Sequence, residues 1–347
     1  MNRVKTAVRA ATPEATTMDQ KITLSVKDLC VDYSVGGEPR RIVDGFSLDL
    51  KPAERVALVG ESGSGKSVTA RSLMRLDRHA LATGSIMLEG TELLALSEAQ
   101  MRRVRGTSIG MVFQNPLSAL DPLKTIGDQV TESLRIRGVS RRERDKRAIS
   151  MLDELAVHDA SRRLRAYPHE FSGGMRQRVV IAMALIGRPK VLIADEPTTA
   201  LDVRVQEQVL KILDEVTAHH GTSVLLITHD LGIVAGFADR VAVMYSGRKV
   251  EEATTRQLFS SPAHPYTQGL LAAVPRIDRD VERLSAIPGA PPSPNNRPSG
   301  CAFRLRCPAA MEVCRTHVPV HSQLPESTQV ACHLYTETER GAHVAGH

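Results

Sequence analysis

Short apolar runs alternate with longer amphipathic stretches along most of this chain. The runs Val191–Ala194 and Val224–Ile227 have the length of strands that are buried on both faces, and a helical pattern follows each of them. A third buried strand is predicted at Arg55–Val59, and a glycine-rich loop and a helix that begins near Lys66 follow it. This order of strand, loop and helix predicts an α/β fold with a parallel sheet.

Other patterns lie before and after these strands. Residues 22–59 contain the short strand-like segments ITLSVKDLCVDYSV and RIVDGFSLDL, which predict a small antiparallel β region that leads into the buried strand. Residues 115–180 are rich in helix formers and charge, so we expect a helical insertion there. After about Ser261 the composition changes to a Pro/Gly/Asn-rich linker, IPGAPPSPNNRPSG, which marks a separate C-terminal element.

The predicted organisation is therefore a tail at residues 1–20, a large domain at 21–261 and a C-terminal region at 262–347. The tail carries basic residues but no apolar core or cleavage site, so a secretory signal is not expected, and Met18 is an alternative start. No apolar run approaches the roughly 20 residues of a membrane-spanning helix. A hydrophobic content of 42% suits a globular chain with a proper core.

The net charge of +6 raises the possibility of nucleic-acid binding. Acidic residues interrupt the most basic stretch, Arg135–Arg147, which favours a solvated helix face. An aromatic content of 3% without any Trp leaves little for base stacking. We therefore expect no nucleic-acid partner; lipid headgroups or partner subunits account equally well for a mildly basic surface.

The glycine-rich loop reads GESGSGKS and fits the pattern GxxxxGK[ST]. In this pattern the glycines let backbone N–H groups turn towards phosphates, the Lys reaches the terminal phosphates, and the last hydroxyl ligates Mg²⁺. A flexible Gly/Ser turn would give no reason for a Lys at a helix start, where the helix dipole favours anions. The residues expected at the nucleotide are Gly60, Ser62, Gly63, Ser64, Gly65, Lys66, Ser67 and Val68.

Two carboxylates, Asp195 and Glu196, end the apolar strand VLIA. Ligands bind at the carboxyl ends of strands in open α/β sheets, so Asp195 is a candidate Mg²⁺ ligand and Glu196 a candidate to polarise an attacking water. Taken alone, they would more often be ordinary acids at a strand end. Together with the phosphate loop, they predict nucleotide hydrolysis.

Further segments resemble the motifs of ABC ATPases, and they occur along the chain in the same order as in that family. Phe171–Arg178 reads FSGGMRQR and resembles the LSGGQ signature, with Phe in place of Leu and Met in place of Gln, as peptide-transporter ATPases often have. The other matching residues are Gln114 for the Q-loop, Asp202 for the D-loop, His229 for the switch histidine and Tyr33 for an aromatic residue that stacks on adenine.

This resemblance covers residues 21 to about 260 and implies an ABC cassette: a RecA-like P-loop NTPase core with an antiparallel β subdomain and a helical subdomain. It implies that ATP binds with Mg²⁺ held through Ser67, Gln114 and Asp195. It also implies a head-to-tail pair of ATPases, in which Ser172 and the glycines after it complete the site of the other subunit. Those glycines are Gly173 and Gly174.

The C-terminal region resembles that of oligopeptide and dipeptide importer ATPases. The segment FSSPAHPYTQGLL matches a P-x-HPYT-x-x-L pattern, and IPGAPPSP and four cysteines follow it: Cys301, Cys307, Cys314 and Cys332. Without a secretion signal these cysteines are not expected to form disulfides, which leaves zinc, an iron–sulfur cluster or free buried thiols. The resemblance implies a cluster in at least some members, so we predict a [4Fe-4S] cluster on these four, with a structural or regulatory role.

The family resemblance implies an ATP-hydrolysing subunit that powers import of peptides or related small solutes. Its expected partners are two transmembrane permease subunits, a second ATPase subunit that is a copy or a related chain, and, indirectly, an extracytoplasmic solute-binding protein. The expected location is peripheral, on the cytoplasmic face of the inner membrane. The alternative is a non-transport ABC ATPase that acts as a nucleic-acid or translation clamp. The transported solute stays open.

Overall fold

The computed structural model describes residues 22–114, 119–199, 203–274 and 287–336. In chain order, the strands are β1 Leu24–Val35, β2 Glu38–Leu50, β3 Arg55–Val59, β4 Ala80–Leu88, β5 Thr91–Glu92, β6 Ile109–Val112, β7 Val191–Asp195, β8 Ser223–Thr228, β9 Arg240–Tyr245, β10 Arg248–Thr254, β11 His321–Gln323 and β12 Gln329–Ala331. The helices are α1 Lys66–Leu73, α2 Glu98–Val104, α3 Ile126–Val130, α4 Glu132–Ile136, α5 Arg141–Glu154, α6 Ala160–Arg163, α7 Gly173–Leu185, α8 Val203–His220, α9 Leu231–Phe237, α10 Thr255–Ser260, α11 Pro265–Ala272 and α12 Val313–Thr316.

The centre of the fold is an eight-stranded sheet with the order β11-β12-β10-β9-β3-β8-β7-β6. Strands β9, β3, β8, β7 and β6 run parallel. Because every residue of β7 and β8 is buried, these strands are covered on both faces, as their apolar sequences predict. The parallel α/β fold expected from the sequence is confirmed.

Side chains that alternate along the central strands enter two different cores. From β7 and β8, Ile193 and Leu225 pack on one side, together with buried residues of the antiparallel sheet β2-β1-β4-β5. Their neighbours Leu192 and Val224 pack on the other side, with helical residues of the 126–186 region. This period of two follows from strand geometry, and it places an antiparallel β layer and a helical region on opposite faces of the sheet.

The C-terminal residues extend the same central sheet. Strand β12 pairs antiparallel with β10 through Glu251 and Val330, and β11 then pairs with β12. A third core contains Tyr245, Tyr266 and Phe303, so residues from both sides of the Pro/Gly-rich linker share one apolar cluster. The boundary expected near residue 261 stays a prediction. The tail at residues 1–20 lies outside the described residues.

His264 caps α11 from a buried position and makes the free energy of unfolding depend on pH. Its imidazole Nδ1 accepts a hydrogen bond from the Tyr266 N–H at 3.0 Å, and the residue is 1% exposed. Burial lowers the pKa of His264 to about 3 from its ordinary 6.5. The folded protein therefore holds this ring neutral at pH values where the unfolded chain protonates it.

We expect the free energy of unfolding to decrease as pH falls below 6.5, by about 1.4 kcal/mol per pH unit from this group alone. Above pH 6.5 the ring is neutral in both states, so its contribution is constant. Denaturant titrations from pH 7.5 to about 5, where the loss reaches roughly 2 kcal/mol, measure the effect. His264→Asn keeps a capping oxygen and should flatten the dependence, whereas a variant of exposed His158, His158→Asn, should not. Equal slopes in all three proteins would refute the prediction.

Candidate functional site

The phosphate loop lies between β3 and α1, at the carboxyl end of a parallel strand. Gly60 has φ +153°, and a Cβ there would lie 2.2 Å from the Met244 carbonyl oxygen, so only glycine fits. Gly63 and Gly65 have φ values of +78° and +104°, in the left-handed region that glycine adopts readily. The loop therefore curls tightly at the start of α1, with Ser62 exposed and Ser64 buried.

The Lys66 ammonium is held by backbone carbonyls of this loop. Its Nζ donates to the Gly60 oxygen at 2.7 Å and to the Glu61 oxygen at 3.0 Å, and the residue is 5% exposed. Burial lowers the pKa of Lys66, and the nearby carboxylates of Glu196 and Asp195 oppose that shift. Because a charged acceptor binds an ammonium more strongly than a carbonyl does, a phosphate oxygen is a natural partner for this group.

Ser67 and Asp195 place two oxygen atoms side by side. The Ser67 Oγ donates to Asp195 Oδ1 at 2.9 Å, which joins the first turn of α1 to the end of β7. Burial raises the pKa of Asp195, and the Ser67 hydrogen bond partly offsets this. A hydroxyl and a carboxylate are the hard oxygen ligands that Mg²⁺ accepts, so this pair suits a magnesium ion next to the phosphate loop.

Glu196 is oriented by three side chains, two of which are distant in the sequence. Its Oε2 accepts from Gln114 Nε2 at 2.8 Å and from Thr199 Oγ1 at 2.9 Å, and its Oε1 lies 3.2 Å from His229 Nδ1. Glu196 also has φ +48°, a strained backbone conformation that is common at functional sites. The structure therefore brings together Gln114, Glu196 and His229, which the sequence separates widely. It adds a contact from Thr199, the first residue of the segment matched to the D-loop, which the sequence did not predict.

The segment that resembles the signature begins helix α7. Ser172 is the N-cap, and its Oγ accepts from the Met175 N–H at 3.4 Å. Ser172 and Gly173 are exposed and Gly174 is partly buried, so the start of this helix is accessible to solvent. The buried Gln177 donates from Nε2 to the Pro197 carbonyl at 2.6 Å and ties α7 to the chain that follows Glu196, a link that sequence reasoning missed.

Of the remaining predicted nucleotide residues, two pack against the core under the antiparallel sheet and one lies outside the described ranges. Tyr33 lies in β1, packs against the core under the antiparallel sheet, and has its pKa raised to about 12 by burial and a hydrogen bond with Asp77. Adenine stacking by Tyr33 stays a prediction. Val68 packs partly buried against the same core. Asp202 lies outside the described residues.

The four C-terminal cysteines lie near enough for their charges to interact, but their arrangement does not by itself show the metal site expected from the sequence. Burial raises the pKa of Cys301 and Cys307, and raises that of Cys332 to about 11, and mutual repulsion among the thiolates adds to each shift. The Cys301 N–H donates to the Cys314 carbonyl at 2.9 Å. Across the described residues, no group of three or more His, Cys, Asp or Glu side chains is placed to hold a metal ion. The predicted iron–sulfur ligation is therefore not supported by this geometry.

Two residues of the C-terminal region contact the phosphate loop directly, and sequence reasoning missed both contacts. The Glu61 N–H donates to the Tyr266 hydroxyl at 2.8 Å. Arg306 donates from both terminal nitrogens to the Glu61 carboxylate, at 2.6 and 2.8 Å. Tyr266 belongs to the HPYT segment that the sequence singled out. For Arg306, the only signal in the sequence is its position between Cys301 and Cys307.

Solved structures match this fold, and family models match the sequence. A dimeric structure of the ATP-binding cassette MJ0796 bound to ADP and Pi has a TM-score of 0.60 and 30% identity, over 67% of this chain and 99% of that one. The structure of cbiO1 from Clostridium perfringens has a TM-score of 0.60 and 27% identity, over 70% and 92%. The ABC transporter model matches residues 43–199, and the model of the oligopeptide/dipeptide transporter C-terminal region matches residues 250–314. The fold and site thus define an ABC-type ATPase.

Curated relatives show to which family of ABC-type ATPases the chain belongs. The dipeptide transport ATP-binding protein DppD of Bacillus subtilis (strain 168) is 46% identical over 327 residues, which cover 93% of this chain and 98% of that protein. The oligopeptide transport ATP-binding protein AppD of the same strain is 46% identical over 318 residues, 90% and 97% of the two chains. This chain belongs to the oligopeptide/dipeptide importer family of ABC transporter ATP-binding proteins.

Proposed function

We propose that this chain hydrolyses ATP to power the import of peptides or related small solutes through an ABC transporter. The observation that carries the proposal is the similarity to DppD and AppD along nearly the whole chain, C-terminal region included. None of the helices in the described ranges combines the length and apolar character needed to cross a bilayer. Two separate permease subunits would provide the path through the membrane, and this chain would work at its cytoplasmic face.

Each part of the site has a role in this proposal. The loop from Gly60 to Ser67 binds the phosphates, and Lys66 neutralises charge that develops on the γ-phosphate. Ser67, Asp195 and Gln114 would hold Mg²⁺, which supplies electrostatic stabilisation to the phosphates. Glu196 orients the attacking water and His229 contacts the γ-phosphate. The contacts of Glu196 with Gln114, Thr199 and His229 support this assignment because they fix the carboxylate in one orientation.

A pair of ATPases completes the proposal. Ser172, Gly173 and Gly174 would face nucleotide held by the other subunit, with Asp202 at the same interface, and the exposure of the signature segment supports this arrangement. The second ATPase would be a copy of this chain or a related one. ATP would favour the closed pair and hydrolysis would release it, so that occupancy shifts the equilibrium between two states. An extracytoplasmic solute-binding protein would deliver the solute to the permeases.

Expression of this chain with its permease genes tests the transport function. We expect the subunits to purify together, and we expect a peptide-loaded binding protein to stimulate ATP hydrolysis by the complex in lipid vesicles. If no permease co-purifies and nucleic acid stimulates hydrolysis instead, the chain is a clamp-type ATPase and the transport proposal is wrong.

For the C-terminal region we propose a [4Fe-4S] cluster on Cys301, Cys307, Cys314 and Cys332. The support for it is the resemblance of the C-terminal region to oligopeptide and dipeptide importer ATPases, together with four thiols whose charges interact. A cluster of four irons is larger than one ion, so its ligands lie further apart than the ligands of a single Zn²⁺.

We also propose the domain limits that the sequence predicts: 1–20, 21–261 and 262–347.

Anaerobic purification distinguishes the metals. The cluster predicts a brown protein with about four iron atoms per chain, and Cys314→Ser should reduce the iron content. Replacement of Cys30, which lies elsewhere beside Asp44, provides the matched control, and Cys30→Ser should leave the iron unchanged. A colourless protein with stoichiometric zinc would overturn the proposal.

A further inference from the structure

All the polar groups of Glu61, the second residue of the phosphate loop, are engaged. Its N–H donates to the Tyr266 hydroxyl, and its carboxylate accepts from Arg306. Its carbonyl oxygen accepts from the Lys66 ammonium at 3.0 Å. Glu61 therefore connects two residues of the C-terminal region to the Lys of the nucleotide site through a single residue.

The contact between Arg306 and Glu61 is rigid. The Arg306 side chain is 5% exposed, and its two parallel hydrogen bonds fix both atoms of the carboxylate. The guanidinium also lies 5.9 Å from the ring centre of Tyr245 and 6.0 Å from that of Phe303, and its Nε donates to the Pro288 carbonyl at 2.9 Å. Because these contacts come from three different segments, Arg306 has little freedom to follow a moving loop.

Tyr266 is equally constrained. Its ring is fully buried and packs against Tyr245 and Phe303, with ring centres 4.6 and 5.4 Å apart. The hydroxyl is thus held at a fixed point from which it accepts the Glu61 N–H. Without this acceptor the part-buried Glu61 N–H would lose its partner, at a cost in free energy.

We propose that Arg306 and Tyr266 are positioning residues of the nucleotide site, and that the C-terminal region thereby sets the affinity of the phosphate loop for the triphosphate of ATP. The proposal rests on the proposed function because it assigns control of the same site. Neither residue is proposed to contact the nucleotide. They hold Glu61 so that its carbonyl and the adjacent loop amides keep the geometry that phosphate binding needs.

A purely structural role for the two residues predicts different behaviour. If they only anchored the C-terminal region to the core, replacing them would lower the unfolding temperature and leave nucleotide affinity of the folded protein unchanged. If they position the loop, the KM for ATP should rise more than kcat falls, and conservative replacement should restore affinity.

Tyr266→Phe removes only the hydroxyl and keeps the ring. We expect the dissociation constant for a fluorescent ATP analogue to increase about fivefold in the folded protein. Tyr335→Phe is the matched control, because the Tyr335 hydroxyl donates to the Ala263 carbonyl in the same region, away from the phosphate loop. That control should bind the analogue as the unmodified protein does.

Arg306→Gln should weaken binding about tenfold, and Arg306→Lys should recover part of the loss because it restores the charge but not the two parallel hydrogen bonds. Arg315→Gln, at an exposed Arg paired with Glu312, is the control for loss of one positive charge. Hydrogen exchange of the loop peptide should be faster in Arg306→Gln and Tyr266→Phe than in their controls.

Unchanged affinity and unchanged loop exchange in folded Tyr266→Phe and Arg306→Gln would overturn the inference. That outcome is separable from failure of the proposed function, because peptide-stimulated hydrolysis by the unmodified complex is measured independently of these variants. If the unmodified chain binds ATP and the variants bind it less well, the inference stands whatever solute the complex transports.

Discussion

Replacing Glu196 with Gln is expected to lower ATP turnover by about two to four orders of magnitude while ATP binding stays close to that of the unmodified protein. The amide has the same shape as the carboxylate but neither attracts a proton nor orients a water through a full negative charge. The phosphate loop, Lys66 and Ser67 are unaffected, so binding is preserved. The variant should therefore accumulate in the ATP-bound, closed state of the assembled transporter.

Single-turnover hydrolysis and equilibrium ATP binding, both measured on the purified complex, separate the two effects. Glu312→Gln removes an equivalent charge at a position whose side chain is 82% exposed, and its turnover should match that of the unmodified protein. Hydrolysis by Glu196→Gln at the unmodified rate would show that another group activates the water.

The strands that build the core could be predicted because their sequences carry the information locally. Residues of β7 and β8 are continuously apolar, and the phosphate loop follows β3 directly, so the parallel sheet and its functional edge follow from the pattern. The strands β11 and β12 could not be predicted in this way. HSQ and QVA have only three residues each and are too short to show a periodicity. They are strands only because β12 pairs with β10 and β11 pairs with β12.

The same distinction applies to the site. Gln114, Glu196 and His229 were predicted from separate motifs, and the structure joins them in one hydrogen-bonded group. The contact between Arg306 and Glu61 spans 245 positions and leaves no local pattern. It depends on how the C-terminal region packs on the third core, which is a property of the folded chain alone.

The second large effect is expected from a substitution in the signature segment. Such a substitution should impair hydrolysis by the pair of ATPases, whereas a defect in the chain's own phosphate loop should impair nucleotide binding. We expect Ser172→Arg to lower hydrolysis by about a hundredfold because a bulky cation at this exposed helix start would block the closed pair. Nucleotide binding to an isolated subunit should stay unchanged, since Lys66 and the loop around it are intact. Lys66→Met should instead weaken binding itself, because it removes the ammonium that the loop holds ready for phosphate.

Binding measured on the dilute subunit and hydrolysis measured on the assembled complex distinguish the two defects. Ser161→Arg introduces the same side chain at another exposed position of the helical region and should hydrolyse ATP normally. Adding Ser172→Arg to Glu196→Gln should abolish the ATP-stabilised closed state that Glu196→Gln alone accumulates. If Ser172→Arg hydrolyses ATP at the unmodified rate, the signature segment does not complete a second subunit's site, and each chain must hydrolyse its nucleotide alone.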